Sequence, residues 1–335
     1  MLKPIQIGPL RLETPVLLAP MAGVTDLPYR RQAQVAGAPY VVSEMVASDQ
    51  LAQSRRDMVR RAAGAGVVTP LVIQLAGREP AWMALGARLA EDAGADVIDI
   101  NMGCPSKTVT SGLSGSALMR DPDHALRLIE ATVGATSRPV TLKMRLGWDA
   151  HTANAPEIAA RAEAAGVQMI VVHGRHRCQF FRETADWSAI GATVEAVSIP
   201  VIANGDIATA ADAREALRLS VAAGVMIGRA AQGKPWHTAA IARALRSGGE
   251  ALTPPPSVII ATLLALYDDA LSFYGEALGA RIARKHIAWA IDGCDLNMAP
   301  DLRRATRSRI CQMTSPRDVK DALEQLFGGG WREAA

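Results

Sequence analysis

The sequence predicts an α/β fold: a (β/α)8 TIM barrel followed by a small all-helical C-terminal domain. Three features predict it. Eight apolar runs of strand length recur over the first 230 residues, alanine-rich segments of helical character separate them, and past a glycine- and proline-rich break only helical periodicity remains. Strand–helix units repeated eight times are the pattern of a closed parallel barrel. A doubly wound open sheet is the main competitor, and no GxGxxG follows the first strand, which counts against it.

The eight runs are residues 16–20, 40–45, 71–75, 97–103, 140–145, 169–174, 200–206 and 224–230. Each is near-continuous in Val, Ile and Leu rather than alternating, as in strands covered on both faces. Helices are expected between them at 81–93, 156–165, 187–197 and 210–219, with Gly94, Gly166 and Gly224 as C-terminal stops. Residues 1–243 form the predicted barrel. Residues 244–256 read as a linker, because the stretch RALRSGGEALTPPP carries Gly248-Gly249 and Pro254-Pro255-Pro256. Residues 257–335 read as a helical bundle. Ile260, Leu263, Tyr267, Leu271 and Tyr274 fall at helical spacing, and further helices are expected near 280–291, 300–311 and 316–327.

Composition bounds the function. The chain has 335 residues, 49% apolar and 21% charged, which supports a large core and argues against disorder. Aromatics make up only 4%, which disfavours a stacking platform for single-stranded RNA. A net charge of +3 is too small to establish a nucleic-acid partner by itself. Cys104, Cys178, Cys294 and Cys311 contain no CxxC, so neither a metal site nor a disulfide framework is expected. The N-terminus lacks the apolar core of a signal peptide. The longest apolar stretch, near 258–267, reads as too short to span a bilayer. A cytoplasmic monomer without a membrane partner is expected.

Functional side chains crowd the C-terminal ends of the predicted strands, the face on which such barrels carry their sites. They are Met21, Glu44, Gln74, Asn101, Cys104, Lys143, Arg145, His173, Arg175, Asn204, Asp206 and Arg229. The last two strand ends read IANGDI and MIGRAAQGKPW. Loops in these places often bind phosphate. Gly205 and Gly228 let the backbone approach closely, and Arg229 supplies a charged fork. Lys143, His173 and Gln74 suit the anionic end of a reduced flavin, while the backbone at 20–22 could line its ring edge. These residues alone do not separate a flavin from a sugar phosphate. A single cradle with no second nucleotide site favours FMN over FAD. In the helical tail, residues 281–311 hold Arg281, Arg284, Lys285, Arg303, Arg304, Arg307 and Arg309 against Asp292, Asp295 and Asp301. That excess reads either as a solvated helix face or as a phosphate-contacting surface.

Taken in order, APMAGVTDLPYR (19–30), QLAG (74–77), DINMGCPSK (99–107), LKMRLGW (142–148), VHGR (172–175), IANGDI (202–207) and IGRAAQGKPW (227–236) resemble the tRNA-dihydrouridine synthases. In detail they look like the bacterial B-type subgroup. The resemblance spans nearly the whole barrel, and the helical tail is similar to that family's RNA-binding domain. It implies an FMN enzyme that reduces the C5=C6 bond of uridines in tRNA, with NADPH as reductant, and uridine 17 of the D-loop as the favoured target. Flavin contacts then fall on Pro20, Met21, Ala22, Gln74, Lys143 and His173. Phosphate contacts fall on Asn204, Gly205, Asp206, Gly228 and Arg229. Cys104 takes the place of the catalytic acid, Asn101 that of a uracil contact and Arg175 that of an arginine near the substrate RNA. Arg281, Arg284 and Lys285 are candidates for contact with tRNA; no DNA partner is implied.

A thiol suits the role assigned to Cys104. A free thiol titrates near 8.5 and is mostly protonated at neutral pH. It can therefore give a proton to C5 of a uracil that has received hydride at C6. The Gly-, Ser- and Thr-rich residues that follow read as a lid over a nucleotide. Two other functions compete: a dihydroorotate dehydrogenase-like oxidoreductase on a free pyrimidine, and a flavin-bearing RNA chaperone or regulator.

Overall fold

The computed structural model describes residues 2–329. A hairpin of two three-residue strands, Ile5–Ile7 and Leu10–Leu12, precedes the barrel. Ile5, Ile7 and Leu12 pack against Leu17, Val72, Val97, Met169 and Ile202 and close the barrel floor. Strands this short leave no periodic signal in the sequence.

Seven barrel strands are continuous: the first Val16–Leu18, the third Val72–Ala76, the fourth Val97–Met102, the fifth Val140–Arg145, the sixth Met169–His173, the seventh Val201–Asn204 and the eighth Gly224–Ile227. All their pairings are parallel, and the eighth returns to the first through Val225 opposite Val16. The second is split, which corrects the expected continuous run over 40–45. Tyr40–Val41 pairs with the first strand, Val42 bridges to Val72, and Val46–Ala47 pairs with the third strand. Between the halves, the Ser43 hydroxyl donates to the Glu44 carbonyl and accepts from the backbone N–H of Gln74. The ladder thus runs through all eight strands and closes.

Side chains alternate along a strand, so every second residue points inward. Val72 and Gln74, Val97, Asp99 and Asn101, Thr141 and Lys143, Met169, Val171 and His173, and Ile202 and Asn204 share one parity. Near the strand starts this series is apolar and packs with the hairpin. Near the strand ends it is polar yet buried: Gln74, Asp99, Asn101, Lys143, His173 and Asn204. The opposite parity, Ile73, Ile98, Ile100, Leu142, Met144, Ile170 and Val172, packs under the surrounding helices.

Helix starts follow local chemistry. Asp26 caps Leu27–Val35 by accepting the Tyr29 N–H at 3.1 Å. Thr209 and Asp212 form a reciprocal capping box on Ala210–Ser220. Pro80–Asp92 and Ala155–Ala164 lie within one residue of expectation and stop at Gly94 and Gly166, both with positive φ. Gly224 is not a helix stop. That helix ends at Ser220 with Val221 left-handed, and Gly224 opens the eighth strand, where a Cβ would meet the Pro15 carbonyl at 2.3 Å. The expected helix over 187–197 is a turn, Ser188–Ile190, and a short helix, Gly191–Glu195. It is anchored by the Trp187 indole N–H on the Gly205 carbonyl.

His237–Ser247 runs four residues into the stretch read as linker. Helices Pro256–Tyr274 and Glu276–Gly293 form an antiparallel pair joined at Gly275. Helices Pro300–Gln312 and Pro316–Phe327 pack onto it, around a second core of Ile259, Leu263, Tyr267, Ile287, Ile291, Leu323 and Phe327. By length and composition, Pro256–Tyr274 is long and apolar enough to cross a membrane, with a mean hydropathy of 1.4 over its most apolar window. This corrects the reading taken from 258–267 alone. Within the fold, this helix buries Ile259, Leu263, Leu266 and Tyr267, while Asp268 and Asp269 pair with Lys320 and Arg31.

Candidate active site

The polar strand ends surround one cleft of about 830 Å3, within the ~300–1,000 Å3 typical of cofactor and ligand sites. Its wall contains Pro20, Met21 and Ala22 after the first strand, and Gln74, Asn101, Cys104, Lys143 and His173 from the middle strands. Asn204, Gly205, Asp206, Gly228 and Arg229 complete it. The strand parity described above explains the convergence, since the third to seventh strands turn their last polar side chains inward.

Cys104 is partly exposed and held by its backbone. Its N–H donates to the Asn101 side-chain oxygen at 3.1 Å. Its carbonyl accepts from both the N–H and the hydroxyl of Ser116. Gly115 makes this possible, because a Cβ there would sit 2.9 Å from that carbonyl. The Arg145 guanidinium holds the adjacent Gly103 carbonyl at 2.8 Å and reaches across to the carbonyls of His176 and Phe180. The sulfur therefore stands on a fixed backbone.

Lys143 is buried, and its ammonium donates to the Asn204 side-chain oxygen at 2.9 Å. Burial, then the charge of Arg145, brings its pKa down to about 8. His173 is held well below its ordinary range by burial and by the cations Lys143, Arg145, Arg175 and Arg229, so the ring is neutral. Arg175 can only donate, and its guanidinium lies 3.1 Å from His173 Nε2. That assigns Nε2 as the acceptor and leaves Nδ1–H as the ring's donor.

Three predicted contact residues spend their side chains within the protein. Arg175 is 1% exposed and does not line the cleft. Its nitrogens are committed to the carbonyls of Arg182 and Glu183, to His173 and to the Asp206 carboxylate. The Asp206 carboxylate is acceptor-only and unsuited to touch a phosphate, which leaves the backbone N–H of that residue for such a contact. It joins Arg175 to Arg229, the latter at 3.0 Å. Asn204 likewise uses its side chain on Lys143 and the Met226 carbonyl. Arg229, half exposed at the cleft, is the cation that remains for an anion there. Gly205 is obligatory, since a Cβ would press on the His173 ring at 2.7 Å, whereas the Cβ position of Gly228 faces open space.

Arg281, Arg284 and Lys285 lie three and four residues apart on helix Glu276–Gly293, so they share a face. Lys285 reaches the barrel: its Nζ lies 3.7 Å from the Cβ position of Gly23, in the loop that lines the cleft through Met21, Ala22 and Val24. On the next helix the basic residues are more engaged. Arg303 caps carbonyls of residues 291, 292 and 294, Arg304 pairs with Asp301 and Arg307 with Asp292.

Sequence reasoning missed an aromatic and cationic rim. Phe180 and Phe181 line the cleft. Arg177 is sandwiched between Trp148 at 4.7 Å and Phe180 at 4.6 Å, and it donates to Thr110 in the loop after Cys104. Arg145 and Arg229 both flank Phe181. The chain has only four phenylalanines, and two adjacent ones after a strand end were a usable signal.

The donor set fits a flavin mononucleotide. Ala19, Pro20, Met21 and Ala22 offer a small-residue and apolar edge, Gln74, Lys143 and His173 offer donors deep in the cleft, and Arg229 stands at the more exposed end. A planar ring with polar edges and a terminal phosphate matches that order. Among the described residues no group of three His, Cys, Asp or Glu side chains could hold a metal ion.

The family pattern described as dihydrouridine synthase matches residues 17–327. A Rhodobacter capsulatus protein named "Probable tRNA-dihydrouridine synthase" is 57% identical over 90% of this chain and 94% of its own. A Rhizobium leguminosarum protein of the same name is 50% identical over 96% and 98%. A Xanthomonas campestris protein named "tRNA-dihydrouridine synthase B" is 44% identical over 95% and 96%. Among solved structures, morphinone reductase aligns with a TM-score of 0.52 at 15% identity over 76% of this chain and 93% of its own. A 2-naphthoyl-CoA reductase aligns at 0.56 and 11% identity over 74% of this chain, which spans about half (52%) of that enzyme. At such identities these two report a shared fold.

Proposed function

The chain belongs to the dihydrouridine synthase family, and on that premise we propose that it reduces the C5=C6 bond of D-loop uridines in tRNA, with FMN as its flavin and NADPH as reductant. The observation that carries this reading is a single thiol, Cys104, fixed by its backbone at a cleft whose donors fit a flavin.

When bound, the flavin supplies hydride to C6 of the uracil ring. This chain's residues do the rest. Asn101 and Gln74 offer amide groups to pyrimidine edges. Charge that builds at C5 and the O4 carbonyl is relieved by a proton from Cys104 Sγ. Lys143 places a buried positive charge where negative charge develops, and a fixed cation in a dry site acts without reorganisation. Neutral His173 adds its Nδ1–H without adding charge. Arg229, oriented by Asp206, takes the flavin phosphate. Arg281, Arg284 and Lys285 contact the tRNA backbone, with Lys285 nearest the cleft.

The test is turnover. Purified enzyme with FMN, NADPH and an unmodified tRNA transcript should yield dihydrouridine, read by nucleoside mass spectrometry and mapped along the D-loop. Turnover of dihydroorotate without any dihydrouridine in tRNA would replace this function with that of a free-pyrimidine oxidoreductase.

A further inference from the structure

Asp99 lies inside the barrel, 3% exposed, two residues before Asn101 on the same strand. One carboxylate oxygen accepts from the Thr141 hydroxyl at 2.6 Å, and the other accepts from Gln74 Nε2 at 2.7 Å. A carboxylate has no proton to give, so the Gln74 group facing it must be the NH2. Gln74 Oε1 then faces Asn101 and accepts from Nδ2 at 2.8 Å. Asn101 Oδ1 in turn accepts the Cys104 N–H at 3.1 Å. Neither amide can flip alone. Turning Gln74 over would set oxygen against carboxylate at one end and NH2 against NH2 at the other.

We propose that Asp99, supported by Thr141, is a positioning residue that fixes the amide polarity of Gln74 and Asn101 and, through Asn101, the backbone of Cys104. This rests on the dihydrouridine synthase reading for its consequence. The series uses one N–H of each amide, and both residues line the cleft. Among the described residues the second N–H of each has no acceptor and is left for a carbonyl, so a wall with this polarity offers donors. A uracil or flavin edge carries carbonyl acceptors that satisfy such a wall; the amino group of cytosine does not.

The arrangement holds while Asp99 is ionised. Burial raises its carboxyl to about 6, and it is faced by Thr141, Gln74, the Lys143 cation and the phenol of Tyr40. Once protonated, Asp99 can donate to Gln74, and the polarity of both amides is no longer enforced.

The experiment compares wild type, Asp99→Asn and Thr141→Val. Asparagine can accept from or donate to Gln74, so Asp99→Asn frees the amides while keeping shape. Wild-type kcat for tRNA should fall as pH drops through about 6. Asp99→Asn should lose that acid limb and be at least tenfold slower at pH 7.5, with KM for tRNA within twofold. Thr141→Val removes a donor to the ionised form, so its acid limb should move to higher pH. A second readout needs neither flavin nor tRNA. In apoprotein, Cys104 alkylation by iodoacetamide should be at least threefold faster in Asp99→Asn, with exposed Cys178 as the unchanged reference. An unchanged Cys104 rate, or an acid limb that survives in Asp99→Asn, overturns the proposal. Should Asp99→Asn not fold, an unmoved limb in Thr141→Val overturns it equally. Wild type that makes no dihydrouridine overturns the functional reading instead, and the alkylation comparison still decides the role of Asp99.

Discussion

The hydroxyl of Tyr274 donates to the carboxylate of Asp26 at 3.0 Å, and the two residues lie 248 positions apart in the chain. Tyr274 closes the first helix after the barrel, while Asp26 caps the helix that follows the cleft-lining loop. Around them Arg31 and Gln32 bind Asp269, Tyr29 stacks on His286 at 5.1 Å and the Gly23 N–H donates to Glu44. The surface proposed to carry tRNA is thus bonded to the loop proposed to hold the flavin edge.

That junction has a pH signature. Burial is the main reason the Asp26 carboxyl rises from 3.8 to about 6, opposed by the Tyr29 N–H and reinforced by Glu44. A carboxyl with a raised folded-state pKa stabilises the fold fully below its unfolded pKa and loses that contribution as pH climbs through the folded value. Between pH 4 and 7, wild type should therefore lose stability relative to Asp26→Asn, by on the order of 3 kcal/mol or less. Asp99 titrates alike in both proteins and cancels. In Tyr274→Phe the loss should extend to higher pH, because a donor to the ionised form is gone. Urea unfolding at four pH values measures this, and parallel curves for wild type and Asp26→Asn would refute the raised pKa.

Cys104→Ala removes the proposed proton donor while leaving the backbone that Asn101 and Ser116 hold. FMN binding and NADPH oxidation by dioxygen should persist within about twofold, and dihydrouridine formation should drop by roughly 10²–10⁴. Stopped-flow of the two half-reactions separates these. A variant that reduces tRNA at the wild-type rate would take the thiol out of the mechanism.

Arg229 and riboflavin give a cleaner test of the phosphate end. Wild type should bind FMN more tightly than riboflavin, and Arg229→Ala should shrink that difference. A charge-assisted hydrogen bond is worth about 1.5–3 kcal/mol, so FMN affinity should fall by roughly 10- to 150-fold while riboflavin affinity barely moves. Equal losses for both ligands would place Arg229 on the ring rather than the phosphate. Asp206→Asn should give a smaller loss of the same kind, since Asp206 acts by orienting Arg229.

The barrel was legible because both faces of its strands are buried, so the apolar runs stood out. The strand-end residues were legible for the converse reason: polar groups in such runs are costly unless used. Arg175 marks the limit. Its position after the sixth strand is as the motif requires, yet the side chain turns inward to His173 and Asp206. No linear pattern records which way a buried guanidinium points. The split second strand, the three-residue hairpin and the cleft's aromatic rim were hidden similarly. Each is set by contacts between residues distant in sequence, such as Val42 with Val72 and Phe181 with Arg145 and Arg229.

Phe181 tests that rim. It is a large apolar side chain left 50% exposed at the cleft, its ring faced by Arg145 at 5.4 Å and Arg229 at 5.1 Å, and 6.3 Å from the His173 ring. An exposed ring pinned by two cations keeps a flat surface available at little entropic cost. A nucleobase stacked on such a ring gains about 1–3 kcal/mol. Phe181→Ala should therefore lower kcat/KM for tRNA by roughly 5- to 150-fold, whereas Phe181→Tyr should retain most of it. FMN affinity and flavin reduction by NADPH should change by less than about threefold in either variant. If Phe181→Ala instead slowed flavin reduction as much as tRNA turnover, the ring would serve the cofactor or the reductant, and its assignment to the nucleotide would fail.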